Sequence, residues 1–168
     1  MWITLGLLTA LLLADQVTKY LAELLIEKNH IVNLIPHVLD STLAYNTGAA
    51  WSMFSDATWL LAILSLVASA VLVYFVTKNN WQRKKMYSTA ITLMLAGTFG
   101  NCIDRIFACF NLREGVVDMI ILKPLDYLWE AITKSGFPIF NVADMCLVIG
   151  IICLAMDIIF FQEKRAKL

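Results

Sequence analysis

The chain has 168 residues, of which 60% are hydrophobic and only 15% are charged, and its mean hydropathy is +0.75. Because a soluble domain carries about 25% charged residues, this composition indicates a membrane protein, and the length suits a single domain covering residues 1–168. The formal net charge is zero, so no overall positive field favours nucleic acid as a partner.

Four stretches have the length and apolar character of transmembrane helices, which need about 20 residues. They are residues 2–25, 57–77, 86–107 and 142–161. The first stretch has no basic residue before its apolar core and no small-residue cleavage site after it. We therefore expect a retained helix and not a cleaved signal peptide.

Basic residues predict the orientation, because Lys and Arg concentrate in the cytoplasmic loops of membrane proteins. Most of them lie between the second and third stretches or close the chain: Lys78, Arg83, Lys84, Lys85, Lys164, Arg165 and Lys167. Both termini are therefore expected in the cytoplasm, and both long loops on the outer side.

The two outer loops carry structural signals of their own. Residues 40–45 are rich in strand formers and precede the turn signal Asn46-Thr47-Gly48, which predicts a small β-hairpin or sheet. Residues 124–132 are amphipathic and predict a short interfacial helix, with Tyr127 and Trp129 at the level of the lipid headgroups. The expected fold is an all-α membrane protein of four transmembrane helices with a small extracytoplasmic β-structure.

Polar residues recur near the predicted outer ends of these helices and in the outer loops. The set comprises Asp15, Lys19, Asn46, Asn101, Asp104, Arg105, Asp118, Asn141 and Asp144. Polar groups within a membrane normally face the interior of a helix bundle, so we expect one shared polar pocket at the outer boundary.

Several of these residues also have a simpler interpretation. Asp15 with Lys19, and Asp104 with Arg105, are alternatively interpreted as structural ion pairs that hold helices together, because charges in membranes usually pair. Asn141 has the position of a helix N-cap.

The two remaining acids and the glycines have simpler interpretations as well. Asp118 has the sequence context of a solvated loop acid, and Asp144 that of a first-turn acid complementing a helix dipole. Gly97 and Gly100 suit close packing between helices.

Two acids are left as the candidates for chemistry. The chain has no HExxH motif, and His30 and His37 both lie in an outer loop, so neither a metal nor a cofactor is expected. Two carboxyl groups that meet, such as Asp118 and Asp144, share a proton. One of them is then able to activate water while the other protonates a carbonyl or leaving group.

Five sequence blocks follow one another along nearly the whole chain: DQVTK at 15–19, TLAYNTGAA at 42–50, GNCIDR at 100–105, VVD at 116–118 and FNVAD at 140–144. Together they resemble the ordered motifs of the lipoprotein signal peptidase family, signal peptidase II. Five blocks in order are far more specific than any one of them.

The resemblance implies an intramembrane aspartyl endopeptidase of the bacterial inner membrane that acts on its periplasmic side. Such an enzyme removes signal peptides from diacylglyceryl-modified prolipoproteins by cutting before the lipidated cysteine, in contact with membrane lipids, and it is inhibited by globomycin. By motif, Asp118 and Asp144 would be the catalytic pair. The implied supporting residues are Asp15, Lys19, Asn46, Gly48, Asn101, Asp104, Arg105 and Asn141.

The chain departs from the family pattern at two places, neither of them catalytic. Met145 stands where Ser is more usual, and the insertion 123–136 is longer than in compact members. A different class of function, a small proton-coupled transporter using the same charges, is disfavoured because the polar residues lie at one surface and no internal repeat is present. The third alternative for the function is an assembly protein, in which the charges only pair one helix with another.

Overall fold

The computed structural model describes residues 2–48 and 57–161. Its elements in chain order are α1 (Trp2–Leu25), β1 (Val32–Ile35), β2 (Leu39–Asn46), α2 (Thr58–Thr77), α3 (Lys85–Cys109), β3 (Val116–Leu122), α4 (Lys123–Thr133) and α5 (Val142–Phe160). The last part of the first outer loop, residues 49–56, and the basic residues Lys164, Arg165 and Lys167 lie outside the described residues.

Three of the helices, α1, α2 and α5, are long and apolar enough to cross a membrane. They begin and end within one residue of three of the predicted stretches. The third stretch is also a helix, α3, with 25 residues. Its hydropathy is lower because Asn101, Asp104 and Arg105 fall within its last turns.

The strands form one antiparallel sheet in the order β1-β2-β3. The predicted hairpin is β1 and β2, and its long second strand pairs with β3 from Leu39 opposite Leu122 to Asn46 opposite Val116. The third strand, β3, was not predicted from the sequence. Its residues Val116–Leu122 read as a nearly continuous apolar run, and the strand is buried over its first four positions.

Within the described residues the chain divides into two compact units. The helix unit comprises residues 2–14, 63–102 and 142–161. The sheet unit comprises residues 15–48, 57–62 and 103–141.

The sheet unit has a small apolar core where the end of α1 meets the sheet. Ala22 of α1 packs with Leu43 of β2 and with Val117 and Met119 of β3. Burial of these side chains holds β3 against α1, because apolar area removed from water contributes about 25 cal/mol per Å². The strand is thereby supported on the face that carries Val117 and Met119.

The helix unit is held by close contact between α3 and α5. A Cβ atom placed on Gly97 would lie 2.3 Å from the carbonyl oxygen of Ala143, and one placed on Gly150 would lie 2.9 Å from the backbone nitrogen of Met94. The close-packing interpretation of Gly97 is therefore confirmed. Gly150 plays the same part from the opposite helix.

Candidate functional site

Asp118 lies in the middle of β3, opposite Ala44 of β2, and only 5% of its surface is exposed. The expectation that it lies in a loop, and the alternative of a solvated loop acid, are both wrong. A carboxylate buried in a strand is costly unless hydrogen bonds satisfy it, so its partners matter.

Asn141 is one of those partners. Phe140 pairs with Ile120 on the edge of β3, through a hydrogen bond from each backbone nitrogen to the other residue's carbonyl oxygen. This pairing brings the next residue, Asn141, alongside the strand. Its amide nitrogen Nδ2 donates to Oδ1 of Asp118 at 2.7 Å and to the carbonyl oxygen of Val117 at 3.2 Å.

The second acid, Asp144, belongs to the helix unit and lies in the first turn of α5. The amide nitrogen of Asn101, on α3, donates to its Oδ1 at 2.8 Å. The contact between α3 and α5 at Gly97 supports this bond, because it holds the two backbones close together. Met145, one of the departures from the family pattern, is 43% exposed.

A buried ion cluster lies beside β3 in the sheet unit. Lys19 is completely buried, and its ammonium group is 2.8 Å from a carboxylate oxygen of Asp15 and 2.8 Å from one of Asp104. The predicted Asp15–Lys19 pair is therefore present, and it extends to α3 through Asp104.

Asp104 connects this cluster to the strand that carries Asp118. Its Oδ2 accepts a hydrogen bond from the backbone nitrogen of Val117 at 3.3 Å, and its Oδ1 accepts one from Gln16 Nε2 at 3.2 Å. Val117, the residue before Asp118, is thus held at both backbone polar groups: Asp104 binds its N–H, and Asn141 binds its carbonyl oxygen.

Two further members of the cluster, Glu23 and Arg113, were not predicted from the sequence. Arg113 donates to both carboxylate oxygens of Glu23, at 2.9 and 2.7 Å, and to Oδ1 of Asp104 at 2.5 Å. The spacing of Glu23 could have predicted its place in the cluster, since it follows Lys19 by four residues and so shares its helix face. No sequence pattern predicts the place of Arg113, because it lies in an irregular segment after α3.

The environment of this cluster changes the pKa values of its outer members. Burial favours the neutral form of Arg113, but hydrogen bonds and charges from Glu23 and Asp104 outweigh burial and raise its pKa. Burial and the neighbouring charge of Glu23 raise the pKa of Tyr45, whose hydroxyl donates to Glu23 at 3.2 Å. Arg113 is therefore a cation at any physiological pH.

Asn46, Gly48 and Arg105 meet at the end of β2. The side-chain oxygen of Asn46 accepts a hydrogen bond from the backbone nitrogen of Gly48 at 3.0 Å, and a guanidinium nitrogen of Arg105 lies 3.5 Å from the carbonyl oxygen of Gly48. The backbone of Gly115 lies close to the backbone of Asn46, since a Cβ placed on Gly115 would lie 2.8 Å from the carbonyl oxygen of Asn46. This turn is held by backbone contacts that only small residues allow.

Of the predicted site residues, Asn101 and Asp144 belong to the helix unit and the others to the sheet unit. Within the sheet unit, hydrogen bonds connect Asp104 through Val117 to Asn141 and Asp118. Among residues 2–48 and 57–161, no three His, Cys, Asp or Glu side chains are grouped so as to hold a metal ion.

The chain is similar to known proteins over almost its full length. The sequence model of the signal peptidase (SPase) II family matches residues 7–160. A lipoprotein signal peptidase of Ectopseudomonas mendocina (strain ymp) is 36% identical over 99% of this chain and 91% of its own length. One of Enterococcus faecalis (strain ATCC 700802 / V583) is 37% identical over 96% of this chain and 90% of its own length.

Solved structures show the same fold. A bacterial membrane enzyme determined by the in meso method at 2.3 Å resolution superposes with a TM-score of 0.77 at 32% identity, covering 97% of this chain and 93% of that one. A second, at 1.9 Å resolution, gives a TM-score of 0.77 at 31% identity, covering 96% of each chain.

Proposed function

Because the chain belongs to the signal peptidase II family, we propose that it is an intramembrane aspartyl endopeptidase that removes signal peptides from diacylglyceryl-modified prolipoproteins. The proposed scissile bond is the one before the lipidated cysteine. Asp118 and Asp144 are the proposed catalytic pair, and the reaction needs no metal or cofactor.

One observation carries this proposal: Asp118 and Asp144 are each bound at Oδ1 by the side-chain amide of an asparagine, at 2.7 and 2.8 Å. An amide donor orients a carboxyl group without adding a charge, so the group remains able to exchange a proton. Asp15 and Asp104 are each paired with Lys19, as carboxylates within membrane proteins commonly are with a cation.

The chain itself supports pairing of the two acids. Asn141, which binds Asp118, precedes Asp144 by only three residues. A span of three residues reaches about 10 Å at most. The FNVAD block thus supplies both Asn141, which binds the first acid, Asp118, and the second acid, Asp144.

In the proposed mechanism, ionised Asp144 takes a proton from water while the resulting hydroxide adds to the scissile carbonyl carbon. Protonated Asp118 gives its proton to the carbonyl oxygen, which yields a neutral tetrahedral diol. Asp144 then passes its proton to the leaving nitrogen and Asp118 recovers one from a hydroxyl group. The C–N bond breaks to leave a carboxylic acid and an amine.

Asp144 is the proposed base because it lies in the first turn of α5, where the helix dipole favours negative charge. Asp118 is the proposed acid because a buried strand position disfavours a second charge. Asn46, Gly48 and Arg105 are proposed to bind the substrate backbone, since they present carbonyl, amide and guanidinium groups at one turn.

We place the enzyme in the bacterial inner membrane, with α3 as a fourth span, both termini cytoplasmic and the active site on the periplasmic side. In this arrangement α4 lies at the lipid surface. None of its residues is buried, and its exposed apolar side chains include Leu125, Leu128 and Ile132 on one face. Globomycin is the expected inhibitor.

The test is cleavage of a diacylglyceryl-modified prolipoprotein by purified protein, followed as a mobility shift on a gel. Asp118→Asn and Asp144→Asn are each expected to lose cleavage entirely while inserting and folding like the original chain. Glu130→Gln, which removes an exposed acid from α4, is the matched control and should retain activity. Substantial turnover by either aspartate variant would rule out the catalytic pair.

A further inference from the structure

We propose that Arg113 is a positioning residue for Asp118, acting through Asp104 and the backbone of β3. The inference rests on the proposed function, because it takes Asp118 as catalytic. It concerns residues that the sequence motifs do not include, since Glu23 and Arg113 both lie outside the five blocks.

The guanidinium of Arg113 joins two carboxylates that come from different helices. Its Nε and Nη2 bind the two oxygens of Glu23 on α1, and its Nη1 binds Oδ1 of Asp104 on α3. Only 9% of the Arg113 side chain is exposed. A planar fork is needed for these three bonds, and a lysine ammonium, as a point charge, does not reproduce them.

Asp104 connects the guanidinium of Arg113 to the backbone of β3. Its Oδ1 is held by Arg113, and its Oδ2 accepts both Lys19 at 2.8 Å and the backbone nitrogen of Val117 at 3.3 Å. The plane of the carboxylate is therefore set by cations at both oxygens. That plane determines where the Val117 N–H points, and Asp118 is the next residue.

The formal charges show why the bond to β3 depends on Arg113. Among the ion pairs described for this cluster, three acids, Asp15, Glu23 and Asp104, face two cations, Lys19 and Arg113. Neutral donors also bind these acids: Gln16 on two of them, Tyr45 on Glu23 and the Val117 N–H on Asp104. Without Arg113, Glu23 and Asp104 would lose the cation that they share, and repulsion between them would move Asp104 relative to β3.

The variants to compare are Arg113→Gln and Arg113→Lys, with Glu114→Gln as the matched control. Glu114 is the next residue in the chain and also forms an ion pair, with Lys28, but its side chain is 61% exposed and has no contact with Asp104 among those described. Two quantities are measured: kcat and KM on the lipid-modified substrate, and hydrogen exchange of the peptide covering residues 116–122.

Arg113→Gln should lower kcat by about 10- to 100-fold, the cost of a misplaced catalytic group, with KM changed less than about twofold. Exchange of residues 116–122 should become faster. Arg113→Lys should lie between Arg113→Gln and the original chain, because it restores charge without the fork. Glu114→Gln should change neither quantity.

The outcomes separate this inference from the proposed function. If the unmodified chain does not cleave prolipoprotein, the proposed function fails, while the exchange experiment still decides whether Arg113 holds β3. If the chain cleaves but Arg113→Gln keeps its kcat and its exchange pattern, the inference is overturned. Should Arg113→Gln fail to fold, Arg113→Lys, which keeps the charge but not the fork, must still lower kcat and quicken exchange, and unchanged values would refute the inference.

Discussion

The side-chain amide of Asn141 lies 2.7 Å from Oδ1 of Asp118. The same arrangement occurs at the second acid, where Asn101 binds Oδ1 of Asp144 at 2.8 Å. In each case a neutral amide donor binds a carboxyl group that, in the proposed mechanism, changes its protonation state.

Replacing either asparagine should therefore reduce catalysis more than folding. We expect Asn141→Ala and Asn101→Ala each to lower kcat by about 10- to 100-fold, because the acid loses its orientation. Folded protein recovered from the membrane should fall by less. The measurement is kcat per folded molecule, with folding followed by size-exclusion chromatography in detergent.

A third asparagine–aspartate pair provides the control. Asn33 donates to Asp40 at 2.7 Å on the hairpin, away from the strand positions of the site. Asn33→Ala removes a bond of the same kind and length, and kcat should remain unchanged. Equal losses of kcat per folded molecule in all three variants would show that these bonds have no effect specific to the proposed catalytic pair.

The sequence predicted the positions of only some residues in the two asparagine–aspartate pairs of the proposed site. Asn141 and Asp144 were found because both begin an apolar helix, where a polar residue is conspicuous. Asp118 was expected in a loop because β3 has no alternation of polar and apolar residues and so resembles any short buried run. The strand forms because β2 and Phe140 pair with its two edges, and pairing between distant segments leaves no local pattern.

The ion pair within one helix was predicted from the sequence, whereas the ion pairs between separate elements were not. The Asp15–Lys19 pair was predicted because residues four apart share a helix face. The partner expected for Asp104 was its neighbour Arg105, whereas the ion pairs seen are with Lys19 and Arg113, which come from α1 and from an irregular segment. No spacing rule connects residues from separate elements.

Gly97→Ala should destabilise the protein. Its new Cβ would lie 2.3 Å from the carbonyl oxygen of Ala143 and 2.8 Å from the backbone nitrogen of Leu147, and backbone atoms do not yield as a side chain does. Overpacking of this kind costs about 1–3 kcal/mol. We expect a lower Tm in detergent. Gly6→Ala, on α1 with nothing within 4 Å of its Cβ, is the control and should not lower the Tm.

The ion pair between Asp40 and Lys123 should make stability depend on pH. The hydrogen bond from Lys123 lowers the pKa of Asp40 below its ordinary value of 3.8, against the opposing effect of burial. Because the folded pKa is the lower one, the pair stabilises the fold above pH 3.8 and the contribution is lost as pH falls through the folded pKa.

The matching shift in Lys123 sets the alkaline limit. The hydrogen bond to Asp40 raises the pKa of Lys123 above 10.5, so its contribution is present below that pH and is lost as pH rises through the folded pKa. Asp40→Asn should therefore have a lower Tm than the original chain at neutral pH, and the two curves should converge in strong acid. A difference that persists in acid would contradict this origin.

Removal of metal ions should leave the activity intact. In the proposed mechanism Asp118 and Asp144 act through proton transfer, which requires no Lewis acid. We expect the same rate of prolipoprotein cleavage before and after dialysis against EDTA. A loss of activity that added Mg²⁺ or Zn²⁺ restores would replace the aspartyl mechanism with a metal-assisted one.

The last prediction concerns the lipid on the substrate. The described parts of the proposed membrane helices have exposed apolar side chains, for example Val67 on α2 and Ile152 on α5, so in the proposed arrangement a substrate reaches the enzyme from within the bilayer. Each buried CH₂ contributes about 0.8 kcal/mol, and two acyl chains hold a molecule in the membrane where one binds only marginally. The enzyme should therefore cleave the diacylglyceryl-modified prolipoprotein with a much higher kcat/KM than the same chain without the lipid. The comparison is made in one lipid composition, with an unmodified substrate retained by its signal peptide. Equal values would show that the lipid is not recognised, and the proposed site at the membrane boundary would have to be abandoned.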